Sequence, residues 1–303
     1  MGLPGRLPGV IARSCAGAHH ARARLTPAAV FLVLLGCQRV APATSADAAP
    51  AADAGGPSES TSTLVAPEPL ARASVVTDWC IDGLEALDAE TCFYLPPAGA
   101  APRRLLIYLH GIVPPGATSP QKEAVESAVR NAAHRAGWAA MIPRGRRGVG
   151  PGANKDWWAW PTTSSDYAKY AAKMAADWRV QRDALAVLAG GPFARTYLAG
   201  SSNGAYFVAT LALRGAIAVD GFGAMSGGSA AGWSAAQLTH VPKPPFYVGY
   251  GAYDETNTGP KALASLLESA AWRHRAAAHP VAHGAKEIYL DEAFAFWDAE
   301  AAR

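Results

Sequence analysis

From about Val75 onward, short apolar runs bounded by glycine, proline or polar residues alternate with longer stretches in which apolar residues recur every three or four positions. Arg104–Leu109 (R-L-L-I-Y-L) is nearly continuous in apolar character and stops at His110-Gly111, the pattern of a strand buried on both faces. Between Gln121 and Ala136 the stripe Val125, Val129, Ala132 and Ala136 has helical spacing, with Lys122, Glu123, Glu126 and Arg130 off it. Ala139–Ile142 reads as the next strand, stopped by Pro143. Further strands are expected over Arg195–Ala199, Val219–Met225 and Phe246–Tyr250. Helices are expected over Tyr167–Leu188, Ala205–Leu213, Lys261–Arg273 and Lys286–Ala302. His274 falls at the end of a helix in this reading, a solvated position, and His279 in a last strand. Alternation of this kind predicts an α/β fold: right-handed crossovers and a mostly parallel sheet with helices on both faces. No internal repeat is visible.

The first quarter of the chain has a different texture. Met1–Leu25 is rich in Gly, Ala and Arg and has no acidic residue, and Pro27–Leu35 (P-A-A-V-F-L-V-L-L) is apolar but too short for the roughly 20 residues a membrane-spanning helix needs. That layout predicts a signal peptide over residues 1–36. Its end, Leu34-Leu35-Gly36-Cys37, resembles the bacterial lipobox, which implies cleavage before Cys37, acylation of Cys37 and a membrane anchor of several acyl chains. Gln38 carries no retention signal for the inner membrane in lipoproteins of this kind, so the outer membrane or periplasm is the expected address. Residues 37–74 are dominated by Ala, Pro, Ser, Thr and Asp without periodic apolar faces, the composition of a flexible spacer. Residues 75–303 are the expected globular domain.

Charge and cysteine content narrow the class. The formal charge of +3 drops to −1 once Arg6, Arg13, Arg22 and Arg24 leave with the signal, so nucleic acid is not an expected partner. Cys80 and Cys92 remain as the only pair in the mature domain, and an oxidising compartment would join them. Closing so short a loop is worth about 2–3 kcal/mol in the chain-entropy model. Their spacing fits neither a zinc ribbon nor a thioredoxin-type redox site, and no metal or cofactor is implied.

One constellation carries chemistry. Gly200-Ser201-Ser202-Asn203-Gly204 fits G-x-S-x-G, with an apolar strand before it and a helix after it. A nucleophile on such a turn sits in strained backbone space, at the carboxyl edge of the sheet and the start of a helix, where the Asn203 amide faces a developing oxyanion. The alternative is an ordinary Gly/Ser helix cap. With these residues the chain resembles the α/β-hydrolase superfamily, and its S-N-G-A stretch the secreted esterases related to polyhydroxybutyrate depolymerases and feruloyl esterases. The resemblance covers roughly Leu105 to Trp297. It implies the chain order serine, acid, histidine: Ser202 as nucleophile, Asp254 just past the Phe246–Tyr250 strand as acid, and His283 before the final helix as base. Glu255 is the fallback acid and His279 the rival base; Asp220 lies before its strand and at the wrong edge of the sheet. His110-Gly111-Ile112 resembles the superfamily's oxyanion loop, which implies a role for the Ile112 amide and a structural one for His110.

The aromatic loop Trp157-Trp158-Ala159-Trp160, with Trp233, offers rings that could line a substrate pocket or simply close a core edge. Arg144, Arg146 and Arg147 read as a solvated basic cluster. Too few residues separate the Val219 and Phe246 strands for a large lid domain, so an open site is expected. The implied activity is hydrolysis of small-molecule or polymeric carboxylic esters through an acyl-enzyme. The alternatives are a serine peptidase of prolyl-oligopeptidase type, which has the same triad, and a lipid-anchored binding module that has lost activity.

Overall fold

The computed structural model describes residues 75, 77–97, 103–116 and 119–303. The expected signal peptide, Cys37 and the spacer over residues 37–74 lie outside the described residues. Eight strands form one sheet: β1 (Glu85–Asp88), β2 (Thr91–Tyr94), β3 (Arg104–Leu109), β4 (Ala139–Pro143), β5 (Arg195–Ser201), β6 (Gly221–Met225), β7 (Phe246–Gly251) and β8 (His274–His279). Their spatial order is β1-β2-β4-β3-β5-β6-β7-β8. β2 is antiparallel to both of its neighbours and the other pairings are parallel, so β2 alone runs against the rest. Among the described residues five α-helices cover the sheet: α1 (Pro120–Ala136), α2 (Ser164–Leu188), α3 (Asn203–Leu213), α4 (Thr258–Ser269) and α5 (Glu287–Ala301). This is the α/β-hydrolase fold.

The central strands face core on both sides, and alternation sorts their side chains. From β3, Leu105, Ile107 and Leu109 enter the core beneath α2, α3 and α4, while Leu106 and Tyr108 enter the one beneath α1 and α5. In the second core Trp138, Tyr197, Phe294 and Trp297 stack on one another, with ring centroids 4.3 Å apart for Trp138 and Phe294 and 4.8 Å for Tyr197 and Trp297. A continuous apolar strand is therefore what this fold requires of β3.

Beyond shifts of two or three residues at element ends, the structure departs from the sequence expectations as follows. The hairpin β1–β2 was not anticipated: its strands are short, carry Glu85, Asp88 and Thr91, and lack a clear alternation. The helix expected over Lys261–Arg273 ends at Ser269. Ala271 turns into the left-handed region (φ 50°), its N–H bonds the Glu268 carbonyl, and the Trp272 N–H closes on Leu267. This is a Schellman stop without the glycine that usually marks one. Trp272 is buried, its indole N–H donating to the Pro244 carbonyl at 2.6 Å, and His274 consequently opens β8 instead of trailing a helix. Finally, Arg144 is not a solvated charge: its guanidinium lies 4.2 Å from the Trp158 ring and pairs with Glu90 at 2.7 Å.

Cys80 and Cys92 are joined by a disulfide that ties the segment before β1 to β2. Beside it the ammonium of Lys122 and the carboxylate of Glu126, both on α1, form a buried ion pair at 2.7 Å.

Candidate active site

In an open, doubly wound sheet, ligands meet the carboxyl ends of the strands. β5 ends at Ser201 and α3 begins at Asn203, so a single residue, Ser202, makes the whole turn. It does so at φ 53°, ψ −121°, backbone space costly for a residue with a side chain. Its N–H is held by the Met225 carbonyl at 3.0 Å. The close approach explains the flanking glycines. A Cβ on Gly200 would stand 2.8 Å from the Leu109 carbonyl oxygen, and one on Gly204 would stand 2.6 Å from that of His110. An ordinary serine at a helix start caps it with its hydroxyl. Ser202 makes no such cap; its Oγ–H donates instead to His283 Nε2 at 2.9 Å.

His283 lies between β8 and α5, and its Nδ1–H donates to Asp254 Oδ2 at 2.8 Å. Asp254 follows β7 by three residues and is 3% exposed. Burial pushes its carboxyl up, but donors outweigh burial: the Thr256 hydroxyl at 2.7 Å, the Thr256 amide at 2.9 Å, and His283. The net effect holds it below the usual aspartate range and keeps it ionised. The side chain of His283 is 45% exposed, so its outer nitrogen is open to solvent and to any ligand of the cleft. Chemically the line is a hydroxyl, an imidazole placed to take its proton, and a carboxylate that fixes the tautomer.

Two positions that sequence reasoning did not single out hold this line. Thr256 engages Oδ1 of Asp254 and leaves Oδ2 for the imidazole. Ser226 donates to the Gly284 carbonyl at 3.0 Å and so steadies the loop that carries His283. A threonine two residues beyond an aspartate was a readable signal for an Asx-type turn; nothing local marked Ser226.

The rival candidates lie elsewhere. His279 is buried at the end of β8, packed edge-on against Tyr289 with its Nε2 3.5 Å from Glu292. Asp220 accepts from the Thr196 amide at the opposite ends of the strands. The tryptophans do not line the cleft at Ser202. Trp160 is fully buried and its indole N–H donates to the His110 carbonyl at 2.7 Å, while Trp158 packs against Trp79 and Arg144. Trp157 is half-buried away from the cleft lining and Trp233 packs at a core edge. Among the described residues, no group of three or more His, Cys, Asp or Glu converges as a metal site.

His110 sits under the loop after β3. The Gly145 amide donates to its Nε2 at 2.9 Å, so the proton is on Nδ1, which donates to the Gly111 carbonyl at 2.5 Å. The Gly111–Ile112 peptide is trans, so pinning its carbonyl turns the Ile112 N–H the opposite way. Ile112 borders the same cleft as Ser202, and Asn203 opens the helix behind it.

Burial lowers the His110 pKa to about 4, helped by the charges of Lys122 and Arg144 and opposed by the bond to Gly111. In the unfolded chain an imidazole takes its proton near pH 6.5. Between the two values the unfolded state binds the extra proton. The contribution of neutral His110 is therefore complete above about pH 6.5, declines towards pH 4 and declines no further below it. The expected loss of stability is on the order of 3 kcal/mol by pH 4. Urea midpoints taken from pH 7 to 4 should show it, and His110→Gln should flatten the profile; equal slopes in the two proteins would contradict the assignment.

No protein-family model matches the chain, and no curated protein matches it. Among solved structures the chain is similar to esterase PE8, at 20% identity over 68% of this chain and 96% of that one, with a TM-score of 0.49. It is similar to SOBER1 of Arabidopsis thaliana, at 15% identity over 65% and 99% of the two chains, with a TM-score of 0.48. It is also similar to XC6422 of Xanthomonas campestris, described as an α/β serine hydrolase without lid, at 20% identity over 70% and 88%, with a TM-score of 0.45.

Proposed function

We propose that the protein is a serine hydrolase of carboxylic esters. The observation that carries the reading is the unbroken line Ser202 Oγ, His283 Nε2 and Nδ1, Asp254 Oδ2, at 2.9 and 2.8 Å, on a strained turn facing an open cleft. Ser202 Oγ attacks the ester carbonyl while its proton passes to His283, and the carbonyl oxygen becomes an oxyanion received by the amides of Ile112 and Asn203. Collapse breaks the bond to the alcohol oxygen, which leaves with the proton held by His283. Water then attacks the acyl-enzyme by the same steps, returning Ser202 and releasing the carboxylic acid. Losing one oxyanion donor typically costs about two to three orders of magnitude in rate.

A panel of p-nitrophenyl esters assayed beside peptide anilides tests the reaction class. Esters alone should turn over, and a fluorophosphonate should form an adduct on Ser202. Preferential cleavage of the anilides would reassign the protein as a peptidase, and inertness towards both, with no adduct, would make it a binding module.

The disulfide supports an exported location, and with the lipobox-like Leu34–Cys37 we propose a lipoprotein held at the outer membrane or periplasmic face through Cys37, on a spacer over residues 37–74. Wild-type protein should pellet with membranes and carry acyl label, and Cys37→Ser should release it. A Cys37→Ser protein that stays membrane-bound and acyl-labelled would refute the anchor.

A further inference from the structure

Proteins ordinarily avoid a lysine at the head of a helix. The first turn carries the positive end of the helix dipole, and the leading position favours Ser, Thr, Asp or Asn, whose oxygens accept free N–H groups. Lys286 heads α5 with extended backbone and makes no capping bond. Among the described residues no carboxylate pairs with it; the neighbouring Glu287 turns instead to Asn131 at 2.9 Å and to Arg135 at 2.6 Å. A residue that breaks a local rule with no local return is a candidate for function.

The cleft supplies the return. It has a volume of about 360 Å³, and besides Ser202 and His283 its walls are mostly small and apolar, Ile112, Val113, Ala124 and Val125 among them. Among the described residues that line it, Lys286 is the only ionisable one apart from His283, and none is Asp or Glu. Gln121 lines the cleft from the first turn of α1. The Ser119 hydroxyl donates to its Oε1 at 2.9 Å, so the uncommitted end of that amide is the donor end. Beyond Ser201 and the Ser202–His283 pair, one lysine and one amide donor therefore stand in a mostly apolar cleft.

We propose that the cleft selects esters whose acyl chain ends in a carboxylate, the half-esters of short dicarboxylic acids being the simplest, with Lys286 receiving the charge. The inference rests on the hydrolase reading above and names its substrate class. An apolar cleft of this size without a cation would reject a carboxylate, because taking one out of water unpaired is costly. Facing an ammonium, the same carboxylate gains a charge-assisted bond. Lysine suits the task because its long stem carries a point charge over a range of distances, which accommodates several chain lengths.

The test measures proton release at constant pH from the monomethyl esters of succinic, glutaric and adipic acid. Each is set beside the neutral methyl ester of equal chain length: butanoate, pentanoate and hexanoate. The readout is the ratio of kcat/KM for half-ester over neutral ester within one preparation, which cancels the fraction of active protein. In the native protein the best ratio should exceed one and fall as NaCl is added. Lys286→Met should lower it about tenfold or more, and Lys286→Glu further. A ratio unmoved by Lys286→Met overturns the proposal, whatever happens to absolute rates. Labelling of Ser202 by a fluorophosphonate, with a native ratio below one or no half-ester turnover, overturns this substrate class and leaves the hydrolase reading standing. Absence of both labelling and ester turnover overturns that reading, and this one with it.

Discussion

His283→Ala is expected to lower ester turnover by about three orders of magnitude or more while leaving the urea midpoint close to that of the native protein. The reason is geometric. His283 places one nitrogen 2.9 Å from Ser202 Oγ and the other 2.8 Å from Asp254, and its ring is half exposed, so truncation removes the proton acceptor without opening a hole in the core. Ser202→Ala should fail to a similar degree, and the double variant should be little worse than either single one, because groups that act as a unit fail together. His279→Ala should behave in the opposite way. That ring is buried against Tyr289 and Glu292, so its loss should lower stability and cost far less in rate. Steady-state rates and urea curves on the same four proteins check both halves. A larger rate loss in His279→Ala than in His283→Ala would transfer the role of base.

That contrast between two histidines four residues apart shows what could be read from the chain and what could not. The strand-turn-helix around Ser202 was legible because its constraint is local: the glycines at 200 and 204 answer to backbone atoms a few ångströms away, and the apolar runs of β3, β5 and α3 follow from burial on both faces. Asp254 and His283 were placed by chain order and by where strands end. The weakly patterned edges of the sheet were not legible. β1 and β2 are short and polar, and β8 (H-R-A-A-A-H) has the composition of a helix and takes its form from pairing along β7. For Trp157, Trp158 and Trp160 the sequence left two readings open, because composition marks an aromatic loop without saying which way it folds; in the structure Trp160 turns into the core and Trp158 onto Arg144. Thr256 answers to an aspartate two residues away, whereas Ser226 acts through Gly284, a partner fixed by tertiary structure, and a lone serine carries no sign of that.

The largest structural effect is expected at the ion pair behind the cleft. Lys122 and Glu126 lie one turn apart on α1, and their side chains are 4% and 2% exposed. The Lys122 ammonium also lies 4.8 Å from the Trp79 ring, and the Ile81 amide donates to Glu126 Oε2 at 3.2 Å. Burial pushes the Glu126 carboxyl up and Lys122 holds it down, so each charge is tolerable only because of the other. Glu126→Ala strands a buried ammonium and the Ile81 amide together and should cost about 3–5 kcal/mol. Lys122→Met should cost less, because Glu126 can take up a proton instead of remaining charged. The double variant Lys122→Met/Glu126→Ala should cost well under the sum of the two single losses, since both charges go together. Urea unfolding of the four proteins with the disulfide intact measures the coupling, and additive losses would show the pair to be independent charges. The pair also fastens the segment carrying Trp79, Cys80 and Ile81 to α1, whose first turns bear Gln121, Ala124 and Val125 of the cleft wall. A Glu126→Ala protein that still folds should therefore bind its ester less well, with KM rising more than kcat falls, because the Ser202–His283–Asp254 line hangs from other elements of the fold.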